Sequence, residues 1–440
     1  MTQVLRSPTS CEGWQLRSME TLCDTNPETL GPATPPDFEF DYLDISAVER
    51  GRIDSSSIRR VKFRDAPSRA RRVVRSGDVL LCTVRPGLQS HAQIGERQTG
   101  HLVCSTGFAV LRAKEQVADP HFIFHQLFSE TISAQLRALE TGSNYPAVNE
   151  ADVRRLLVPA PDPSEQRVIA TLLDTVDEAI AKTEAVIAKL KQVRAGLLHD
   201  LLTRGLDEHG DLRDPEAHPE QFQDSGLGRI PREWRVRRLC EVASFQNGKA
   251  FPSADYRNSG IRLLRPGNLP PSEFVSWEPG NTVCLPESWA DIALEYLVRG
   301  EEIVMNLTAQ SLEEAFLGRV CITRPDEQCL LNQRLARFRP LDCHLPFLFW
   351  TLRGPFFRHQ INRNPQGTKV QHIYNRDLEA VVLPMPLRRA EQELVASVLF
   401  TVADQIESEG SLLTKLQVVK AGLMTDLLTG RVHVPSGIGA

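Results

Sequence analysis

Between residues 52 and 75 the chain places nine basic side chains, Arg52, Arg59, Arg60, Lys62, Arg64, Arg69, Arg71, Arg72 and Arg75, against two aspartates. Residues 1–50 reverse the balance, with three Lys/Arg and nine Asp/Glu. A cationic run this dense suits a polyanion: Lys and Arg displace the counterions condensed on phosphates, and an arginine fork also matches guanine O6 and N7. Arg59, Arg60, Lys62, Arg64, Arg69, Arg71 and Arg72 are therefore candidate DNA contacts; the structural alternative is a solvated surface face. Two polar loops are a second candidate set. One is Gly142–Pro146, with Ser143, Asn144 and Tyr145; the other is Gln366–Tyr374, with Lys369, Gln371, His372 and Tyr374, and Arg363 just before it is a further candidate. Glycine lets backbone approach a phosphate, and short hydroxyl, amide and imidazole groups suit base edges. The alternative is an ordinary polar turn. Arg353, Arg358, His359 and Arg376 add positive charge around the second loop, and Arg262-Leu-Leu-Arg265 is a lesser basic candidate.

Motifs for catalysis are missing. The chain has no G-x-x-x-x-G-K-[ST] phosphate loop, no G-x-S-x-G and no H-E-x-x-H. A base methyltransferase would show a [DN]-P-P-[YF] tetrad; Thr34-Pro-Pro-Asp37 has the wrong first and last residues. Pro36-Asp37…Glu39 lacks the lysine of a nuclease site. Nine cysteines are scattered without a C-x-x-C, so free thiols are expected rather than a metal site. Nothing here predicts a cofactor or metal in this chain. The net charge is −5, the mean hydropathy −0.25, and no apolar run approaches the ~18 residues of a membrane helix. The beginning shows no signal-peptide core. These features predict a cytoplasmic protein that makes no membrane contact.

What must position the candidate residues is a duplicated frame. Residues 164–204 align with 390–430 without gaps at an offset of 226: Glu165-Gln166 meets Glu391-Gln392, and AGLLHDLLT meets AGLMTDLLT. Just upstream, Leu157-Val-Pro-Ala-Pro161 meets Val382-Leu-Pro-Met-Pro386, and further back Trp14-Gln-Leu-Arg17 resembles Trp234-Arg-Val-Arg237. The chain is thus two copies of one unit, a divergent domain followed by a well-preserved helix. The expected division is a first recognition domain at 1–161, a helical spacer at 162–205 and a polar linker at 206–232. A second recognition domain at 233–387, a second helix at 388–430 and a frayed tail at 431–440 follow.

Both helices carry a heptad seam: Leu173, Val176, Ile180, Thr183, Ile187, Leu190, Arg194, Leu197 and Leu201, then Leu399, Val402, Ile406, Glu409, Leu413, Leu416, Lys420, Leu423 and Leu427. Such a seam needs a partner, and each copy suits the other. The fold class expected is α+β: two mixed α/β recognition domains separated by two long antiparallel helices forming a coiled coil, with a pseudo-two-fold internal repeat. One register sets Ile187 against Leu416 and Ile180 against Leu423. It brings Arg194 opposite Glu409 and Lys420 opposite Thr183, so that the polar interruptions meet. Within the domains, 78–84 and 302–307 read as strands. His121–Leu139 and Leu345–Ile361 read as helices, the second interrupted by Pro355.

Taken in order, the Leu157-Val-Pro-Ala-Pro161/Glu165-Gln166 block, its copy, Gly228-Arg-Ile-Pro-Arg-Glu-Trp234 and the A-G-L-[LM]-x-D-L-L-T endings resemble the specificity subunit of type I restriction–modification systems. The resemblance covers nearly the whole chain after residue 13. It implies a non-catalytic, sequence-specific subunit that reads a bipartite site on double-stranded DNA, two half-sites separated by a fixed unread gap. It also implies two methyltransferase (modification) subunits as partners, which bind S-adenosylmethionine and methylate adenine N6, and restriction subunits that use ATP and Mg. The competing reading is a coiled-coil adaptor joining two protein-binding modules without DNA reading.

Overall fold

The computed structural model describes residues 13–95, 100–142, 146–310, 316–363 and 371–434. The chain divides into two compact units, Met1–Ala185 with Ser411–Ala440, and Val186–Gly410. Each unit combines a mixed α/β domain with a stretch of both long helices, Pro163–Thr203 and Arg389–Leu427.

In the first unit, Gln15–Ser18 pairs antiparallel with Leu157–Ala160, the strand leading into the first long helix. Two four-stranded sheets follow. One runs Cys23–Thr25, Phe108–Ala113, Val79–Cys82, Ala92–Gln93; the other runs Arg59–Lys62, Glu39–Leu43, Leu102–Ser105, Ala70–Val74. The pair Glu39–Leu43 and Leu102–Ser105 is parallel, the rest of both sheets antiparallel.

The second unit repeats this plan. Trp234–Arg238 pairs with Val382–Pro386, one sheet runs Ala243–Asn247, Leu335–Pro340, Ile303–Asn306, Val320–Ile322, and the other runs Cys284–Leu285, Ile261–Leu264, Cys329–Leu331, Leu297–Val298, again with one parallel pair. Equivalent side chains make equivalent bonds. Gln135 braces Leu157 from both its amide N and O, as Gln360 braces Val382. Gln166 accepts from Asp119 N and donates to Pro161 O, as Gln392 accepts from His344 N and donates to Pro386 O.

The helices at 120–139 and 345–363 are each broken once. In the first unit Pro120–Gln126 and Glu130–Leu139 are separate because Ser129 caps the second, accepting from Ile132 N. In the second unit Pro355 opens Pro355–Arg363, where its missing N–H costs nothing.

In the first unit the two long helices run past each other in opposite directions. Glu165 accepts from Val434 N at 3.2 Å, and twelve residues further along its helix Asp177 pairs with Lys420 at 2.5 Å. Leu173 and Leu427 share one buried core with the domain. In the second unit Leu201, Val395, Leu399 and Ala403 lie in one core, with Leu197 packed on it. Exposure is reduced at the positions of the expected seam. Leu173, Ile180, Thr183, Leu201 and Leu427 are buried, and Val176, Ile187, Leu190, Leu197, Val402, Ile406, Leu413, Leu416 and Leu423 are half-buried.

The polar register differs from the one the sequence suggests. Arg194 pairs with Glu273 of the second domain, not with Glu409. Glu273 is 5% exposed and also takes Arg353 at 3.3 Å. A carboxylate that buried requires cationic partners, whereas Glu409 has no such need. Lys420 reaches Asp177, not Thr183, whose hydroxyl turns back to donate to Ala179 O.

Two further segments are more structured than their composition suggests. Residues 206–232 contain a hairpin, Phe222–Ser225 with Gly228–Pro231, and Arg213, 4% exposed at its side chain, pairs with Glu391 at 2.7 Å. At the other end, residues up to Val434 are held by Glu165. Residues 435–440 lie outside the described residues.

Candidate nucleic-acid interface

Each domain brings three strand ends together beside its polar loop. In the second unit Ile373 N donates to Leu307 O, and Leu307 N donates to Arg334 O. Gly248 N donates to Leu335 O, and Asn247 Nδ2 donates to Asn375 Oδ1 at 2.9 Å, closing a circuit back to the loop. Only glycine fits at 248, because a Cβ there would stand 2.1 Å from Asn332 O. Thr308–Ala309 pairs with Gln371–His372, fixing the loop's exit. On this frame His372 lies edge-on to Tyr374 at 4.5 Å, and Arg376 stacks on the same ring at 5.2 Å. Burial lowers the His372 pKa, against the opposing pull of Asp377, which favours the neutral ring with its one donor and one acceptor.

The first unit builds the same circuit. Val148 N donates to Thr83 O, Thr83 N to Gly107 O, Arg85 N to Pro146 O, and Asn26 Nδ2 to Glu150 Oε2 at 2.6 Å. His91 supports it from behind: Nδ1 accepts from Cys82 N at 3.1 Å, and burial pushes the ring down to about 4, keeping it neutral. The side chains on the circuit differ between units. Where the second unit carries Arg334 and Asn375, the first carries Gly107 and Glu150.

Of the sequence candidates, Gln371, His372 and Tyr374 sit on the frame of the second unit, and Arg363 is exposed at the end of the helix that precedes the loop. Ser143, Asn144, Tyr145 and Lys369 lie outside the described residues. The basic run of the first unit is divided. Arg59, Arg60 and Lys62 lie on the edge strand of their sheet, Arg64 just after it. Arg69 and Arg72 adjoin residues of the frame: Arg69 O accepts from Thr106 N, next to Gly107, and Arg72 pairs with Glu150 at 3.5 Å.

Most of this run is also neutralised. The antiparallel pairing of 59–62 with 39–43 sets Lys62 opposite Glu39 and Arg60 opposite Asp41. Arg60 meets Glu39 at 3.4 Å, Arg64 meets Asp37 at 2.7 Å and Arg69 meets Asp44 at 2.8 Å. Such cross-strand pairs of opposite charge are favourable, so the acidic residues between 37 and 44 pair with the basic segment that follows them. Arg59 has no ion pair among the described residues, and Arg71 stacks on Phe63 at 4.8 Å. Two cations expected to thicken the charge of the second loop are structural: Arg353 donates to Ser272, Val320 and Pro271 carbonyls, and Arg358 to Leu317 O. Asn247 and Arg334, both on the frame, were not singled out in the sequence. Neither lies in a duplicated block, so nothing in the sequence marked them.

Residues 88–192 and 231–418 match the type I restriction modification DNA specificity domain. The MjaVIII type I restriction enzyme specificity subunit of Methanocaldococcus jannaschii is 25% identical over 369 residues, spanning 82% of this chain and 80% of that one. The MjaIX specificity subunit of the same organism is 21% identical over 415 residues, spanning 91% and 86%. A crystal structure of the type I restriction–modification S subunit from M. genitalium superposes with a TM-score of 0.59 at 14% identity, covering 94% of this chain and 96% of that one. The chain belongs to the type I restriction–modification DNA specificity family. Among the described residues no helix is long and apolar enough to cross a membrane, and no His/Cys/Asp/Glu group could hold a metal.

Proposed function

We propose that this chain reads a bipartite double-stranded DNA target through two recognition domains, 1–161 and 233–387, carried on two helices that form an antiparallel coiled coil with pseudo-two-fold equivalence. The observation that carries this reading is the shared hydrogen-bonded frame bearing different side chains in the two units: one scaffold, two chemistries, as two different half-sites require. Catalysis belongs to partners. Two modification subunits would bind S-adenosylmethionine and methylate adenine N6, and restriction subunits would use ATP and Mg. Expressed with its modification subunits in a host without background adenine methylation, the complex should leave a methylation motif of two unlike half-sites. Their centres should lie roughly one helical turn, ~10–10.5 bp, apart. A continuous or palindromic motif would overturn this reading.

The helices also carry matched apolar side chains outside the seam. Val186 and Leu412 are 42% and 44% exposed, and Val193 and Val419 are 39% and 50% exposed, both pairs related by the 226-residue offset. Exposed apolar side chains repeated at heptad spacing on each helix suit one copy of the same partner per helix. Replacing Val193 by Asp, or Val419 by Asp, should leave one modification subunit per chain in native mass spectrometry, and the double change none. Two bound copies in the double variant would remove these stripes from the interface.

A further inference from the structure

On the circuit of the second unit, Arg334 is the position whose chemistry departs most from its counterpart. Its backbone is fixed, since its carbonyl accepts from Leu307 N while the next carbonyl, Leu335 O, accepts from Gly248 N. Its side chain is exposed and, among the described residues, has no carboxylate, carbonyl or ring partner. Other arginines of this unit are engaged internally. Arg337 and Arg339 share Glu302, Arg353 takes Glu273, Arg324 takes Glu407, and Arg262 lies over Trp277. Arg334 stands beside the loop strand through Leu307, whose own carbonyl receives Ile373 N from between His372 and Tyr374. In the first unit the same place is Gly107, where no side chain exists and a Cβ would stand 2.2 Å from Ile45 Cδ1.

We infer that Arg334 is a specificity-determining residue of the second half-site, and that it reads a guanine. The physical argument has two parts. A guanidinium held at a rigid strand end, without an internal carboxylate to satisfy it, keeps all its donors for a ligand. Its fork then matches O6 and N7 of guanine in the major groove, the commonest arginine contact with a base. A phosphate contact would also take a cation, but the backbone there is fixed on both sides and the neighbours are groups that suit base edges: the neutral His372, Tyr374 and the Asn247–Asn375 amide pair. The first half-site lacks this contact because Gly107 offers none. The inference rests on the DNA-reading function proposed for the two frames.

The test uses the full chain assembled with its modification subunits. R334A and R334K are compared with the unaltered complex by methylation mapping and by DNA binding at several salt concentrations. The expected result is loss of preference at one guanine of the second half-site in both variants. Discrimination there should fall roughly ten- to a hundredfold, with the first half-site unchanged. Lysine keeps the charge but not the fork, so R334K should retain the salt dependence yet lose the base preference. An unchanged second half-site overturns the inference while leaving DNA reading intact. So does a uniform weakening of R334A on all sequences with a shallower salt slope and full rescue by R334K, which would make Arg334 a phosphate contact. A bipartite motif absent from the unaltered complex would instead overturn the DNA-reading function. The intact first half-site serves as the internal control that the variants fold.

Discussion

Replacing Glu391 with alanine should destabilise the second unit by roughly 3–5 kcal/mol, the range for removing one partner of a buried ion pair. Glu391 is 4% exposed and sits at the start of the second long helix. It accepts from Arg213 Nη1 at 2.7 Å, from Trp234 Nε1 at 3.0 Å and from Leu206 N at 3.0 Å. Alanine takes the acceptor from all three donors, one of them a guanidinium whose side chain is only 4% exposed and which keeps the exposed Glu233 at 2.9 Å as its remaining ion pair. The residue at the same place in the first unit is a built-in comparison. Glu165 accepts from Trp14 Nε1 at 3.4 Å, His433 Nδ1 at 3.1 Å and Val434 N at 3.2 Å, with no arginine. Its replacement by alanine should cost about 1–3 kcal/mol, the range for unsatisfied neutral donors. Urea unfolding of the full chain, followed by tryptophan fluorescence, would resolve the two. Equal losses would show that the Arg213 charge contributes nothing to holding residues 206–232.

The helices were legible because their information is local and repeated. Seven apolar positions in nine at spacings of three and four mark a seam in each copy, and exposure falls along those positions. Register was not legible. The polar residues of the seam had partners outside it, and Glu273, which claims Arg194, lies 79 residues away in a loop with no periodic signal. The same limit explains the basic run. Arg60 and Glu39 are 21 residues apart in sequence, and only the antiparallel pairing of their strands shows that one neutralises the other. A composition window sees two charged blocks and reads a patch. Strand order was hidden for a related reason: each unit's parallel pair joins strands about sixty residues apart, and the alternating pattern along a strand is silent about its neighbour. The polar loops were found by duplication and by residue type together. The strand ends that complete the frame, Asn247 and Arg334, had neither signal until the hydrogen-bond circuit placed them.

Inserting matched heptads into the middle of both long helices should change the unread gap in a stepwise, phase-dependent way. Under the proposed coiled-coil arrangement each added heptad moves the domains apart by ~10.5 Å at 1.5 Å per residue. At 3.4 Å per base pair that is ~3 bp, which turns the second half-site by roughly 100° around a duplex of ~10–10.5 bp per turn. The coil's own left-handed supercoil turns the opposite way from the right-handed duplex and adds only about 25° at a pitch of ~150 Å. One matched heptad should therefore leave the complex nearly inactive on every target, because the second domain faces the wrong side of the duplex. Three matched heptads add ~32 Å, or ~9–10 bp, nearly one full turn. Methylation should return on a target whose half-sites are unchanged and whose gap is wider by that amount. An insertion in one helix alone should abolish activity at any length, since it shifts the seam of one strand against the other. Methylation mapping of the series gives the gap directly. An unaltered gap after three matched heptads would show that the helices do not set the distance between the two reading domains.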